Sequence, residues 1–547
     1  MPPASANSNT LPGPMVKPAE ETLQSPADSA PRLDVRADLA ALALSVLTAA
    51  ASLAIFYSLG VTNLLGDGIS HVEGARRLFD SVNPGYATIG TVWLPLYHIL
   101  ASPLALNDFL WRTGLAGSLL SALSFALAGW VLFRFAYELT GSTTAAAVAL
   151  TGFLICPSMD YIASTPLTEP LAILFYVLVV YGVYRYGRSG RAATLVWAGL
   201  AAFAGTLTRY DGWYLLPFAA IFVLFARREN WRTRFLRTSL FSVIAGLGPA
   251  LWLVHNAVRF GSPLEFYKGP GSAWAIYQQQ LATSGFRYPT DGRFILSALY
   301  YLGDLVVVIG PFAVVLAILG FVAWVADRQR RAPRAAAMLL LVPFVFYVQS
   351  MARAAVPIYI PILPPFSYYN LRYGLEMLPA VALFPSFLVG PGITGRRRAA
   401  TAAIVIGLIA VEAGFMVRKG AAALPVVHES VRNNPCQAGR QQALIALFRR
   451  EYDGKIVLMT PGEWLCLNPA IQLPFRKSWS DTNIETSIRL SSAVPNSVGW
   501  IIRGEDDPVD QLMRANPGAF GGFTLVERDE FPHEGWVEVY RRRSGGH

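Results

Sequence analysis

Apolar positions along the chain fall into runs of roughly 20 residues separated by short polar loops, the length that carries a helix across a bilayer. The runs lie at about 38–60, 113–137, 144–160, 167–185, 194–208, 212–226, 236–256, 298–326, 335–352, 373–391 and 399–418, and predict about eleven transmembrane helices. A shorter run at 92–106, interrupted by Pro95 and Pro103, predicts a re-entrant or interfacial segment. After the first run comes Leu65-Gly-Asp-Gly68, then a helical pattern over 69–80, with Ile69, Val72 and Phe79 near one face and His71, Arg77 and Asp80 away from it. This predicts a short amphipathic helix lying on the membrane surface, with Asp67 just before it on flexible backbone. Past residue 420 the period shortens. The stretches 455–460, 498–503, 523–527 and 536–540 read as strands, and 438–451 and 507–514 as helices. The expected architecture is an all-α polytopic membrane protein over 36–419, with a first outward loop at 61–112 and a small α/β domain at 420–547. Residues 1–35, rich in Pro, Ala and Ser, read as a disordered tail.

Composition removes the soluble alternatives. Of 547 residues, 54% are hydrophobic and only 15% charged, and the mean hydropathy is +0.41. The net charge of +10 is no nucleic-acid signal, because arginines cluster in short loops between apolar runs. Four clusters, at 185–191, 227–237, 328–334 and 396–398, fall on one side of an eleven-span chain, which marks that side and the N-terminal tail as cytoplasmic. The expected location is the plasma (inner) membrane, multi-pass, with the C-terminal domain extracytoplasmic. Three cysteines exclude a disulfide scaffold and a Cys-based zinc module. Cys436 and Cys466 share the outward domain, where a bond between them can persist; Cys156 is expected to stay free.

The polar residues that interrupt the apolar runs gather at the outward ends of spans. Asp67, His71 and Glu73 come from the first loop, Glu169 follows Ser164-Thr-Pro-Leu-Thr168, and Arg209, Tyr210 and Asp211 cap the fifth span. Arg259 ends the seventh, Arg353 follows the ninth, and Tyr368 to Glu376, with Tyr369 and Arg372, opens the tenth. Carboxylates and guanidinium groups at one depth suggest a cleft open to the outer surface. No dinucleotide fingerprint, phosphate-binding P-loop or zinc-protease motif is present in the sequence, which argues against a cytoplasmic nucleotide-sugar enzyme.

The long first loop with its early Asp, and the phrases Thr168-Glu-Pro170, Thr208-Arg-Tyr-Asp-Gly-Trp213 and Asn370-Leu-Arg-Tyr373, resemble the GT-C superfamily, nearest to the protein O-mannosyltransferase and aminoarabinose transferase-like bacterial enzymes. The resemblance covers roughly residues 35–420. It implies transfer of a sugar from a polyprenyl-phosphate carrier to a protein, lipid or glycan acceptor, with inversion at the anomeric centre and the first-loop acid as general base. That role falls on Asp67, with Glu73 or Glu169 as a second acid. Family members often carry two adjacent acids in this loop; here Gly68 follows Asp67. The Trp-Trp-Asp phrase of oligosaccharyltransferases is absent.

Such chemistry needs one carboxylate within reach of the acceptor hydroxyl or amine and cations to neutralise the leaving phosphate. Arginine suits phosphate because its fork binds two oxygens. Arg209 and Arg372 are the first candidates and Arg259 and Arg353 the next, with His71, Tyr210, Asp211 and Tyr369 lining the donor site. The sequence assigns no cofactor, and a divalent cation between Asp67 and Glu169 could do the same job as the arginines. Each residue also has a structural reading: Asp67 as a helix cap, Ser70 to Glu73 as a capping box, Glu73 with Arg77 as an i, i+4 pair, and Arg209 with Asp211 as an ion pair. The competing functions are a polar-lipid transporter or flippase, which would place ionisable or broken-helix sites near mid-membrane, and a non-catalytic membrane scaffold, in which Asp67 is dispensable.

Overall fold

A computed structural model describes residues 33–543, apart from 328–330, 391, 461, 482, 485–487 and 489–492. The predicted tail over 1–35 therefore lies almost wholly outside the described residues, as do Arg328 and Arg330 of the third arginine cluster. Helix α1 (Val35–Ser58) is followed by α2 (Gly66–Arg77) in the first loop. Among the described residues, six helices are long and apolar enough to cross a membrane: α1, Leu115–Thr140, Glu169–Ser189, Trp231–Phe260, Ala335–Ala352 and Gly395–Val417. Two bent pairs raise the number to eight. Thr143–Leu154 meets Pro157–Ala163 at 66°, and Phe294–Val308 meets Pro311–Ala326 at 115°. The other three predicted runs are shorter or irregular. Ala192–Thr206 and Tyr210–Phe225 are 15 and 16 residues long. The 373–391 run holds one helix, Leu378–Leu383, between two 3₁₀ segments. Pro379 and Pro385 sit at the starts of those pieces, where each removes a backbone donor. The shorter run at 92–106 forms the helix Leu96–Ala105.

At the 115° bend Gly310 takes a positive φ of 109° and Pro311 opens the second helix. Glu412, inside the apolar helix Gly395–Val417, accepts from the backbone N–H groups of Phe312 (3.0 Å) and Ala313 (2.8 Å). A carboxylate at a helix N-terminus satisfies donors that have no intrahelical partner. The one acidic residue of that apolar helix is thus a cap for its neighbour.

The C-terminal region is a five-stranded mixed sheet with helices. The strands are β1 (Ile456–Leu458), β2 (Ser478–Trp479), β3 (Val498–Gly504), β4 (Phe523–Phe531) and β5 (Gly535–Arg542), in the order β2-β1-β3-β5-β4. β1 pairs parallel with β2 and β3, while β5 pairs antiparallel with β3 and β4. β3 is apolar on both faces, as a covered central strand must be. Its Trp500 and Ile502 pack with the Gly439–Glu451 helix, and its Val498 and Ile501 pack with the Pro508–Ala515 helix. Cys436 and Cys466 are joined, with Cα atoms 5.5 Å apart, and Cys156 is free and buried.

Helix α2 departs most from expectation. It starts at Gly66, so Asp67 lies in the first turn rather than before it, and Leu65 occupies the cap position without a side-chain bond. Ser70 is interior, so no capping box forms. The helix does not lie on a membrane surface with one polar face. Ile69 enters the core of the C-terminal domain, and Val72 and Ala75 pack with Tyr97, Ala101 and Trp111. His71 and Glu73 are buried as well, while Phe79, beyond the helix end, is exposed. The physical reason is that both sides are covered: the C-terminal domain takes in Ile69 and meets Arg77 through Phe475, while Trp93, Tyr97 and His98 enclose His71. Two glycines allow the close approach: a Cβ at Gly68 would sit 3.1 Å from Pro166 Cγ, and one at Gly74 would sit 2.9 Å from His98 Cδ2.

Candidate active site

Four segments converge at the mouth of the helical part. α2 brings Asp67, the start of Glu169–Ser189 brings Glu169, the break before Tyr210–Phe225 brings Arg209 and Asp211, and the 3₁₀ segment Leu371–Met377 brings Arg372 and Glu376. Arg372 is the centre. Its Nη2 donates to Asp67 Oδ2, its Nε donates to Glu169 Oε1 at 2.9 Å, and Tyr373 Oη accepts from Nη2 at 3.2 Å. Arg209 shares the same Glu169 oxygen at 3.1 Å and donates to Thr168 Oγ1 at 3.1 Å and Tyr347 Oη at 2.9 Å. Its Nε also lies 3.3 Å from Asp211 and 3.4 Å from Glu376. Both guanidinium groups sit over the Tyr373 ring, at 4.8 and 5.0 Å.

The backbone beneath Arg372 is pinned. Asn370, with a left-handed φ of 59°, and Leu371 donate their N–H groups to the two Glu429 oxygens at 2.6 and 3.0 Å. Burial pushes the Glu429 carboxyl up, against the pull of Arg372 and these two donors. Exposure separates the acids sharply. The Glu169 side chain is 1% exposed and that of Asp67 47%. Of the acids touching these arginines, Asp67 is therefore the one an incoming group can reach.

The remaining candidates divide. Tyr210 holds the fold, donating to Val92 O at 2.7 Å and accepting from Trp252 Nε1 at 3.0 Å. His71 packs against His98 (3.1 Å between ring nitrogens) and the Trp93 ring. Burial first, then His98, Arg372 and Arg209, hold it well below the ordinary histidine range, so it is neutral at pH 7. Glu73 points to the other side of α2 and meets Arg77 at 3.3 Å; it does not join the arginine cluster. Burial lifts its carboxyl to about 8 and outweighs the pull of Arg77. Tyr369 is exposed and pairs with Tyr359 in an isolated β-bridge. Arg259 and Arg353 are exposed, and neither forms an ion pair among the described residues. No group of three or more His, Cys, Asp or Glu among the described residues is arranged to hold a metal; Asp67 and Glu169 are bridged instead by Arg372.

Tyr347 and Glu429 complete the site and escape a reading of the sequence. Tyr347 lies in the middle of an apolar run, and Glu429 comes from the helix Pro425–Arg432, past the last apolar run. The only available signal was a lone tyrosine in a run otherwise apolar up to Gln349.

Comparison with known proteins bears on this geometry. Residues 109–253 match the family pattern for dolichyl-phosphate-mannose-protein mannosyltransferase. The fold matches that of ArnT from Cupriavidus metallidurans bound to undecaprenyl phosphate, at a TM-score of 0.54 and 16% identity over 91% of this chain and 98% of that one. The same protein in the apo state matches at 0.52 and 16%, over 92% and 98%. A search of curated proteins returned no match. The fold and the family match together support what the first loop suggested, a membrane glycosyltransferase of the GT-C superfamily.

Proposed function

We propose that the protein transfers a sugar from a polyprenyl-phosphate carrier to an acceptor at the outer face of the plasma membrane, with Asp67 as general base. The observation that carries this reading is the exposed Asp67 carboxylate held on Arg372, which is itself held on buried Glu169. Binding of undecaprenyl phosphate by ArnT supports a polyprenyl-linked donor. Arg209 is held by Thr168, Glu169 and Tyr347, all buried, whereas one partner of Arg372, Asp67, is half-exposed. The donor phosphate takes over that side of Arg372, and the displacement frees Asp67 for the acceptor. The acceptor oxygen or nitrogen then bonds to the anomeric carbon as the carbon–oxygen bond to phosphate breaks. The phosphate leaves with the electron pair, and the acceptor proton passes to Asp67. One displacement inverts the anomeric centre. Arg372, braced by Tyr373 and the Glu429 clamp, neutralises the growing charge without reorganising.

In this reading the arginines do the work a cation would do, so turnover is expected to survive EDTA. Loss of activity in EDTA with recovery on adding Mg²⁺ or Mn²⁺ would return that role to a metal. The test of the function itself is release of labelled sugar from a polyprenyl-phosphate donor by the purified protein in detergent. A protein that moves the intact lipid across a vesicle but releases no sugar would be a flippase, and one that does neither a scaffold.

A further inference from the structure

A cavity of about 340 Å³ lies between α2 and the C-terminal domain, away from the arginine cluster. That volume is at the lower end of the range for small-molecule sites. Glu73, Arg77 and Ser81 form one wall; Thr460, Trp464 and Asn468 are part of the other, with Phe475 between. Two features set this cavity apart from a packing gap. First, several lining residues carry buried polar atoms with no hydrogen-bond partner: Glu73 Oε1, Ser81 Oγ and Trp464 Nε1. Glu73 is 3% exposed and Trp464 1%. A buried polar group left unpaired costs about 1–3 kcal/mol, so three around one cavity mark a place built for a hydrogen-bonding occupant. Second, the lining is hydroxyl, amide and aromatic in character. Its one cation, Arg77, is already engaged by Glu73 and the Phe475 ring. A phosphate or other anion would have to draw Arg77 away from Glu73 and the Phe475 ring. A sugar ring, with hydroxyls at its edge and C–H groups on its faces, matches both the unpaired donors and acceptors and the aromatic walls.

We propose that this cavity binds a neutral saccharide unit of the acceptor, so that the acceptor is a glycan or glycolipid. The proposal rests on the transferase reading for its role, though not for the binding itself. Asp67 and Glu73 are six residues apart on one helix, roughly 9 Å along its axis. A sugar in the cavity therefore sits beside the reaction centre rather than in it, and α2 fixes the distance between the two.

The test uses the full chain in detergent and saturation-transfer NMR with the methyl glycosides of glucose, mannose, galactose and N-acetylglucosamine, with inorganic phosphate as the contrasting probe. At least one glycoside is expected to bind. Ser81→Phe, which fills the cavity, and Trp464→Phe, which removes one unpaired N–H, should each weaken that binding at least tenfold, with unchanged melting as the check on folding. Asp67→Asn should leave it unchanged. Absence of binding by every glycoside, binding indifferent to both cavity variants, or displacement of the glycoside by phosphate would each overturn the proposal. Glycoside binding by a protein that releases no sugar from the lipid donor would instead leave the cavity standing and remove the transferase reading.

Discussion

At the scale of single residues, Asp67 and Arg372 make opposing demands that mutation separates. In the proposed mechanism Asp67 both competes with phosphate for Arg372 and accepts the acceptor proton. Asp67→Asn therefore should bind the donor as tightly as the wild type or more tightly, while losing transfer by a factor on the order of 10² to 10⁴. Because Asp67 lies in the first turn and caps nothing, its melting temperature should hardly move. Donor binding by filtration and sugar release on the same preparation check both halves; near-normal turnover in a folded Asp67→Asn protein would sink the mechanism. Arg372→Lys keeps one charge but cannot hold Asp67 and Glu169 on a fork. It is expected to weaken donor affinity and turnover together, and the ratio of kcat/KM values measures the loss. Glu73 gives a separate pH signature. Its folded-state carboxyl stands at about 8, above the ordinary carboxyl range, so the folded protein holds a proton that the unfolded chain releases. Its contribution to stability is present at low pH and falls away as pH rises through about 8. Glu73→Gln should flatten that decline in melting temperature between pH 5 and pH 9, and an unchanged slope would show Glu73 already ionised.

At the scale of elements, α2 shows where pattern reading works and where it stops. Periodicity placed a helix there, and Ile69 and Val72 are apolar contacts as expected. Periodicity also assigned His71, Arg77 and Asp80 to water, because a helix read alone reveals neither the Trp93–His98 segment that buries His71 nor the C-terminal domain that meets Arg77 and Asp80. Four strands and two helices past residue 420 were legible as short alternating or apolar runs between turn residues, whereas the helices Pro425–Arg432 and Leu467–Ile471 were not. The two-residue β2 was too short to leave a pattern. The bond between Cys436 and Cys466 ties the chain just after Pro425–Arg432 to the Trp464 segment of the sheet domain, across 30 residues. Replacing either cysteine by serine is expected to cost about 2–4 kcal/mol in that domain. Since Pro435 Cγ lies 3.5 Å from where a Gly66 Cβ would be, turnover should fall with it. Thermal melts and sugar release, with and without reductant, measure both.

At the scale of the whole molecule, the arginine loops and the span count belong together. Every apolar run in the sequence became a helix or a chain of helical pieces, yet among the described residues eight pass as spans by length and composition, bent pairs included. Length alone could not foresee the breaks near Cys156, Arg209 and Gly310, since each is set by what packs beside it. The proposed orientation puts the 185–191 loop inside and the 257–297 loop and sheet domain outside. Single cysteines introduced in these loops of a chain lacking Cys436 and Cys466 should react with a membrane-impermeant reagent only in the latter two. Labelling of the 185–191 loop from outside intact cells would reverse the topology, and with it the side on which transfer occurs.

The hydrogen bond between Arg372 and Asp67 joins residues 305 positions apart, and α2 is closed on its far side by a domain that follows both in the sequence. During biosynthesis Asp67 is therefore made long before the arginine that holds it, and Ile69 waits longer still for the core that covers it. A half-made chain presents an unclaimed acid and a bare apolar stripe, the kind of surface that chaperones and membrane proteases read. In the proposed mechanism, competence therefore waits until the sheet domain has docked on α2.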